Sequence, residues 1–194
     1  VFQNAIINKK LKIITWDLSN PFSVGLIKEI GDINIIVHMA AETHVDNSIK
    51  NPVPFVKNNI MSTLHLLEYA RNLNNLNKFF YFSTDEVYGP ALGSKLYKED
   101  ERHNPTNPYS ASKAAAEIII NSYKYHLKSN ILIVRGNNIF GNRQYPEKLI
   151  PSCIYNVLKN KPIKLHGNGK NIRCYLSAYD FADAIYLLIK KNKI

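Results

Sequence analysis

The run Ile33-Asn34-Ile35-Ile36-Val37-His38 is short and predominantly apolar, as is typical of a parallel β-strand covered on both faces. A long amphipathic segment, Pro52 to Asn72, follows it and predicts a helix. Its apolar stripe consists of Val56, Ile60, Leu64 and Leu67. The next apolar run, Phe79 to Ser83, predicts a second strand. Strand, helix and strand in this order indicate an α/β fold with a parallel sheet.

The same alternation extends in both directions from this unit, without internal repeats. The predicted strands are Leu11–Trp16, Ile33–His38, Phe79–Ser83, Ile131–Val134 and Ile163–Leu165. The predicted helices are Ser23–Ile30, Pro52–Asn72, Tyr109–Ser129, Glu147–Lys159 and Ala178–Lys191. The pattern predicts a doubly wound sheet.

A doubly wound nucleotide-binding domain carries a Gly-rich turn after its first strand, where a pyrophosphate binds. The sequence contains neither GxGxxG nor GxxGxxG, and it starts with Val1 rather than Met. We therefore expect a processed chain or a fragment that begins near the third strand of such a sheet.

The charge balance is basic, with 25 Lys+Arg against 15 Asp+Glu among 194 residues and a formal net charge of +10. Asn, Ile and Lys together make 68 of the 194 residues, a bias toward A/T-rich codons. Because the lysines are scattered rather than clustered with aromatic residues, the sequence disfavours nucleic-acid binding. An anionic small-molecule substrate is favoured instead.

Membrane insertion and metal binding find no support in the sequence. The longest apolar runs, including Ile118 to Ile120, are far shorter than the roughly 20 residues that cross a bilayer, and no signal peptide is apparent. Cys153 and Cys174 form no CxxC pair, so no disulfide framework or metal site is predicted. We expect a reducing, cytoplasmic compartment.

Tyr109 and Lys113 lie at positions i and i+4 of a predicted helix and therefore share one helical face. A free Tyr has a pKa of about 10, too high for a base at neutral pH. A neighbouring ammonium, together with a cationic cofactor, would lower that pKa. The alternative is a pair of ordinary surface residues.

A second group of reactive side chains follows the predicted strand Phe79–Ser83. Thr84, Asp85 and Glu86 come directly after it, where ligands of parallel sheets bind. Two adjacent carboxyl groups in different environments can act as one acid and one base. Alternatively, these residues are solvated turn residues, and Asp85 caps a short helix.

Four motifs in order resemble the nucleoside-diphosphate-glucose 4,6-dehydratases, of which dTDP-glucose 4,6-dehydratases are the best known, in the extended short-chain dehydrogenase/reductase family. They are His38 to Asp46 (HMAAETHVD), Phe82 to Gly89 (FSTDEVYG), Asn107 to Lys113 (NPYSASK) and Gln144 to Pro151 (QYPEKLIP). The segments His44–Ser48, Lys57–Asn59 and Arg135–Asn138 are more similar to the UDP-glucose 4,6-dehydratase part of plant-type rhamnose synthases.

The resemblance implies a Rossmann-like doubly wound parallel sheet, truncated at both ends, with part of a smaller substrate domain. Residues 1–142 would form the NAD-binding domain without its first βαβ unit. Residues 143–174 would belong to the sugar-nucleotide-binding domain, and residues 175–194 would return to the first domain. A homodimer through the helices that contain Leu64 and Ile119 is also implied, although these residues could instead pack on the sheet.

The resemblance also implies a mechanism that uses NAD+ as a bound catalyst. Tyr109 would take the proton of the 4-hydroxyl group, Lys113 would hold Tyr109 ionised, and Thr84 would bind the 4-oxygen. Glu86 would then remove the proton from C5, and Asp85 would protonate the departing 6-hydroxyl. This division of labour suits two adjacent carboxyl groups.

Binding residues follow from the same motifs. The implied NAD contacts are Asp17, Leu18, Ala40, Ala41, Glu42, Asn58, Tyr109 and Lys113, with Asn59 as a supporting residue of the long helix. The implied contacts with dTDP-glucose or UDP-glucose are Thr84, Asn138, Lys148, Leu149, Lys164, Leu165, His166 and Arg173. The small Ala40 and Ala41 could equally serve close packing, and the cations could be solvated.

Some positions depart from the family pattern. Ile139 replaces the second Asn of the bacterial SNNYG motif, and Cys174-Tyr175 replaces Asp-Trp. A 4-epimerase or a decarboxylase of the same superfamily would share Tyr109 and Lys113, but the pair Asp85-Glu86 favours dehydration. A noncatalytic module that binds NAD or a nucleotide sugar is the alternative from another class.

Overall fold

The structure is a computed structural model that describes residues 10–91, 93, 95–127, 129–163, 165 and 168–191. The chain divides into two compact units, Val1–Val134 and Arg135–Ile194. The domain boundaries predicted above at residues 142 and 174 stay predictions.

Helices and strands alternate along most of the described chain. The strands are β1 (Ile35–His38), β2 (Lys78–Thr84), β3 (Asn130–Gly136), β4 (Asn138–Phe140) and β5 (Tyr175–Ser177). The α-helices are α1 (Val24–Ile30), α2 (Val45–Lys50), α3 (Pro52–Arg71), α4 (Pro108–Tyr123), α5 (Leu149–Leu158) and α6 (Ala178–Lys190). A 3₁₀ helix, Asp85–Tyr88, follows β2 directly.

The first unit is built around the sheet β1-β2-β3, in which β1 and β2 are parallel with Ile35 opposite Lys78 and His38 opposite Tyr81. Both strands therefore end at the same edge. The core combines the sheet with α3 and α4 and includes the fully buried Leu67, Phe79 and Ile120. The mixed α/β architecture with parallel strands confirms the predicted fold class.

Local sequence signals set the ends of the principal helices. The Ser23 side chain accepts a hydrogen bond from the Leu26 amide at the start of α1, and Gly31 ends that helix with φ of 79°. Helix α3 begins with Pro52, whose missing amide hydrogen is not needed in the first turn. Helix α4 begins at Pro108 with a capping box formed by Asn107 and Ser110.

The predicted strand Leu11–Trp16 is wrong, because these residues lie outside any strand or helix. The strand order offers a physical reason. In a doubly wound sheet of order 3-2-1-4-5-6, a third strand is separated from the fourth by the second and first strands. If β1 is the fourth strand, Leu11–Trp16 has no adjacent strand in this sequence with which to form a ladder.

Strand β1 is also less covered than predicted. Ile36 and His38 are buried, but Ile35 is 37% exposed and Val37 is 39% exposed. A groove of about 390 Å³ lies beside the strand, and Leu18, Phe22 and Ile33 are among its apolar lining residues. The expectation of two covered faces therefore holds for one face only.

The remaining differences concern element ends and short elements. Helix α4 ends at Tyr123 rather than Ser129, in a turn where the amides of His126 and Leu127 bind the Tyr123 carbonyl. Ile163 and Leu165 are not in a strand, and Lys164 lies outside the described residues. Helix α2, the 3₁₀ helix and the strands β4 and β5 were not predicted, because each is only three to six residues long.

The second unit contains a parallel pair, β4 and β5, with Asn138 opposite Tyr175 and Phe140 opposite Ser177. A Cβ at Gly141 would lie 2.8 Å from the Cβ of Ala178, so the chain passes too close to α6 for any side chain at position 141. Helix α5 has no fully buried residue.

Two further expectations concern surfaces. In the parts of the chain that the structure describes, no helix is long and apolar enough to cross a bilayer. Two helices were predicted to form a dimer interface. In the helix that contains Ile119, this residue packs against the core of its own unit, and in the other helix Leu64 is half-buried. The homodimer stays a prediction.

Candidate active site

The end of β2 places a hydroxyl group and two carboxyl groups side by side. The Thr84 hydroxyl accepts a hydrogen bond from the Glu86 amide at 3.2 Å and donates one to Asp85 Oδ1 at 3.2 Å. Thr84 is therefore the residue that caps the 3₁₀ helix, and not Asp85 as the structural alternative supposed. Both carboxyl groups lie at the sheet edge where ligands of parallel sheets bind.

A tight turn closes this segment. Gly89 has φ of 81°, and a Cβ there would lie 2.4 Å from the Asn104 carbonyl oxygen, so only glycine fits. The Asn104 amide in turn donates to the Val87 carbonyl at 2.8 Å. These contacts fix the loop that leads to α4 against the residues that follow β2.

Helix α4 brings Tyr109 to the same place. Its backbone amide donates to the Ser48 hydroxyl at 3.2 Å, and that hydroxyl donates to the Val45 carbonyl at 2.6 Å. The Tyr109 side chain also forms a hydrogen bond with Thr84. The structure thus brings together Thr84, Asp85, Glu86 and Tyr109, as the motifs predict.

The surroundings of Tyr109 nevertheless raise its pKa to about 12. The largest cause is burial, and the next is the negative charge of Glu86. The lowering expected from Lys113 and a cationic cofactor therefore has to overcome both contributions before the phenol can act as a base near neutral pH.

Lys113 is almost completely buried one turn further along α4. Its ammonium lies 4.2 Å from the centre of the Tyr81 ring, within the range of a cation–π interaction. Burial lowers the pKa of Lys113 to about 8, and the Glu117 carboxylate opposes this shift. The ammonium form is thus retained near neutral pH in an apolar setting.

Two residues that the motif analysis did not single out support Lys113. Glu117 is fully buried, and its Oε2 lies 3.1 Å from Nε2 of His103. A buried carboxylate requires paired charges or hydrogen bonds. The i+4 spacing between Lys113 and Glu117 is the signal from which this contribution could have been found.

His38, at the end of β1, is a buried neutral histidine. Its Nε2 lies 3.0 Å from Thr63 Oγ1, and its Nδ1 has no hydrogen-bond partner among the described residues. Burial, followed by the charge of Lys113, lowers the pKa of His38 from 6.5 to about 4. The imidazole therefore stays uncharged in the folded chain at neutral pH.

We expect the chain to lose stability as the pH falls from 6.5 to 4. The unfolded chain takes up a proton on His38 at the ordinary pKa of 6.5, whereas the folded chain resists this until about pH 4. The difference corresponds to about 3 kcal/mol of unfolding free energy. Urea denaturation at pH 7 and at pH 4 measures it, and the loss should be smaller in His38→Gln.

Direct observation of the ring provides the control. An NMR titration of the His38 ring should show no protonation above about pH 5. A midpoint near 6.5, or an equal loss of stability in His38→Gln, would contradict the prediction, because other groups would then explain the acid sensitivity.

The residues assigned to NAD lie mainly on loops after Leu11–Trp16 and β1. The Asp17 carboxylate accepts a hydrogen bond from the Ser19 amide at 2.9 Å, which lowers the pKa of Asp17. The Leu18 carbonyl is 3.2 Å from Nδ1 of His65 on α3. After β1, Ala40 and Glu42 are exposed and Ala41 is half-buried.

Asn59 connects this loop to α4. Its Oδ1 accepts from the Glu42 amide at 2.7 Å, and its Nδ2 donates to the Glu42 carbonyl at 3.1 Å and to the Ser112 hydroxyl at 2.8 Å. The buried mid-helix Asn thus has the partners that its burial requires. Its neighbour Asn58 donates to the Glu42 carboxylate at 3.4 Å.

The residues assigned to the sugar nucleotide, apart from Thr84, lie in the second unit. Asn138 Nδ2 donates to the Cys174 carbonyl at 3.1 Å, and Arg173 donates to the Ile172 carbonyl at 2.9 Å. The Lys148 ammonium Nζ lies 3.7 Å from Oε1 of Glu147, just before α5. Leu149 and Leu165 are exposed, and the predicted Lys164 and His166 lie outside the described residues.

Comparison with known proteins agrees with the resemblance that the motifs indicate. The sequence model of the GDP-mannose 4,6 dehydratase family matches residues 2–194. The chain belongs to this family. The resemblance to sugar-nucleotide 4,6-dehydratases is confirmed.

Individual relatives carry dehydratase names. A dTDP-D-glucose 4,6-dehydratase of Dictyostelium discoideum is 46% identical over 172 residues, which cover 84% of this chain and 39% of that protein. A trifunctional UDP-glucose 4,6-dehydratase/UDP-4-keto-6-deoxy-D-glucose 3,5-epimerase/UDP-4-keto-L-rhamnose-reductase of Arabidopsis thaliana is 38% identical over 185 residues, 94% of this chain and 28% of that protein.

A solved structure agrees with the fold. The DesIV double mutant, a dTDP-glucose 4,6-dehydratase from Streptomyces venezuelae with NAD and DAU bound, superposes with a TM-score of 0.88 at 30% identity. The superposition covers 98% of this chain and 58% of that one. The chain thus spans about half the length, or less, of the family members it matches.

Proposed function

We propose that the protein acts as an NAD-dependent nucleoside-diphosphate-glucose 4,6-dehydratase. The observation that carries this proposal is the cluster at the end of β2, where the Thr84 hydroxyl hydrogen-bonds Tyr109 and Asp85 while Glu86 acts electrostatically on the same phenol. The cluster contains a phenol that can act as the base for the 4-hydroxyl group, and two carboxyl groups that can act as acid and base in an elimination. An oxidation alone needs only the base for the 4-hydroxyl group.

The first step is the removal of the proton from the 4-hydroxyl group. Tyr109 takes this proton, Thr84 holds the 4-oxygen, and the buried ammonium of Lys113 stabilises the phenolate. NAD+, when bound, accepts the hydride from C4 and later returns it to C6. The resulting 4-ketone acidifies the proton on C5.

The second step is the loss of water across C5 and C6. Glu86 takes the C5 proton as the C6–O bond breaks, and Asp85 protonates the leaving hydroxide to give water. When C6 is reduced, Glu86 returns its proton to C5. The proton held by Tyr109 and the one given up by Asp85 balance through solvent.

The residues present suit the nicotinamide and adenosine parts of NAD. Asp17 offers a carboxylate whose pKa is lowered, Ala40 offers an exposed small residue after β1, and Lys113 offers a buried ammonium one helical turn after Tyr109. NAD would be held by Asp17, Leu18, Ala40, Ala41, Glu42, Asn58, Tyr109 and Lys113. The Gly-rich pyrophosphate turn is not within these 194 residues.

The substrate would be dTDP-glucose or UDP-glucose, and both nucleotides occur in the names of relatives. Lys148 and Arg173 suit its diphosphate, because charge-assisted hydrogen bonds favour such anions. Asn138, Leu149, Lys164, Leu165 and His166 complete the proposed contacts. A cytoplasmic homodimer and a role in forming rhamnose or another deoxysugar belong to the same proposal.

The complete gene product that contains this sequence, incubated with NAD+ and either nucleotide sugar, tests the proposal. We expect a 4-keto-6-deoxy product, which is detected by its absorbance in alkali, from one nucleotide more than from the other. A 4-epimer instead of this product would support an epimerase. NAD+ binding without any turnover would support a noncatalytic binding module.

A further inference from the structure

We propose that Asn107 is a positioning residue that holds the Glu86 carboxylate in place for removal of the C5 proton. This inference rests on the proposed function. Asn107 Nδ2 donates a hydrogen bond to Glu86 Oε2 at 3.1 Å, across 21 residues of sequence. The contact joins the segment that follows β2 to the first turn of α4.

The orientation of the Asn107 amide is fixed by the helix it caps. Its Oδ1 accepts from the Ser110 amide at 2.9 Å, so its NH₂ group faces the carboxylate. The opposite orientation would place an oxygen against the carboxylate and an NH₂ group against an N–H. Both ends of the amide are therefore used, one for the helix and one for Glu86.

The backbone of Asn107 is fixed as well. The Ser110 hydroxyl donates to the Asn107 carbonyl at 3.1 Å, and the Ala111 amide donates to the same carbonyl at 2.9 Å. Since Tyr109 lies two residues later, one short segment positions both bases. The two groups must reach neighbouring atoms of one sugar, O4 and the hydrogen on C5, so their separation has to be held closely.

Hydrogen bonds to charged groups are the stronger class, and a donor that fixes a reacting carboxylate contributes to rate through geometry. Asn107 donates to Oε2 and thereby fixes the orientation of the Glu86 carboxylate. Asn107 itself is half-buried and, in this proposal, does not contact the sugar.

Two substitutions distinguish the helix-capping role of Asn107 from its role as hydrogen-bond donor to Glu86. Asn107→Ser keeps a capping hydroxyl but is too short to reach Glu86, and Asn107→Asp keeps the capping oxygen but replaces the donor with a second acceptor. Asn107→Ser should fold with nearly unchanged stability, whereas Asn107→Asp should be less stable, because it places a second carboxyl group against Glu86. We expect kcat to fall about 10- to 100-fold, more in Asn107→Asp than in Asn107→Ser, with KM changed less than twofold.

The decisive readout is the partition between C4 oxidation and elimination, measured in the complete gene product. In both variants, C4 oxidation should keep its rate while elimination slows, so reduced nicotinamide accumulates during turnover and is visible by its absorbance. Asn51→Ser is the matched control, because Asn51 precedes α3 without forming a side-chain capping bond. It should behave as the unsubstituted protein.

Two results would overturn the inference. In the first, both variants retain kcat. In the second, C4 oxidation slows as much as elimination does, which would mean that Asn107 acts only by capping helix α4. Absence of product from the unsubstituted protein is a different result, because it contradicts the proposed dehydratase itself.

Discussion

Replacing Glu86 with Gln is expected to lower kcat for dehydration by about 10²- to 10⁴-fold while C4 oxidation continues. Gln has the same shape and can still accept the hydrogen bond from Asn107, but it cannot take the C5 proton. Loss of the negative charge should also lower the pKa of Tyr109, which Glu86 raises. The acidic limb of the oxidation step should therefore move to lower pH.

Rapid mixing with substrate and NAD+ measures both effects, because reduced nicotinamide forms at oxidation and disappears only after elimination. Glu29→Gln is the matched control, since Glu29 is an exposed carboxylate that pairs with Lys12 at 3.6 Å. Unchanged turnover in Glu86→Gln would remove Glu86 from the elimination and with it the division of labour between Asp85 and Glu86.

The elements that local signals define were predicted well. Ser23 and Gly31 bound α1, Pro52 begins α3, and the apolar run from Phe79 occupies β2. Each of these signals acts within a few residues of the element it defines, so it can be recognised without knowledge of the tertiary structure. The parallel arrangement of β1 and β2 followed from the long helix predicted between them.

The prediction of Leu11–Trp16 as a strand failed for a nonlocal reason. An apolar segment forms a strand only where a neighbouring strand offers hydrogen bonds, and sequence pattern does not reveal which neighbours are present. The exposure of Ile35 and Val37 has the same cause, because burial of a strand depends on what packs against it.

The motifs identified the proposed reacting groups but not the surroundings that set their pKa values. Thr84, Asp85, Glu86 and Tyr109 lie together as predicted, yet the raised pKa of Tyr109 results from burial and from Glu86. The pairing of Glu117 with His103 and the contact between Asn107 and Glu86 join residues 14 to 21 positions apart. Such partners become visible only in three dimensions.

Replacing Tyr109 with Phe should lower the rate of C4 oxidation by about 10³-fold, and reduced nicotinamide should not accumulate. The variant removes the proton acceptor for the 4-hydroxyl group but leaves the ring in place. Its cost in stability should be about 1 kcal/mol, because one hydrogen bond with Thr84 is lost. Affinity for the sugar nucleotide, measured by calorimetry, should change little.

Tyr109→Phe should be compared with Glu86→Gln, because the two variants should stop the same reaction at different steps. Tyr125→Phe is the matched control, since Tyr125 is 92% exposed in the turn after α4. If Tyr109→Phe oxidises C4 at the unsubstituted rate, another group accepts the proton. The burial that raises the pKa of Tyr109 would then mark a phenol that binds the 4-oxygen, as Thr84 does, without becoming ionised.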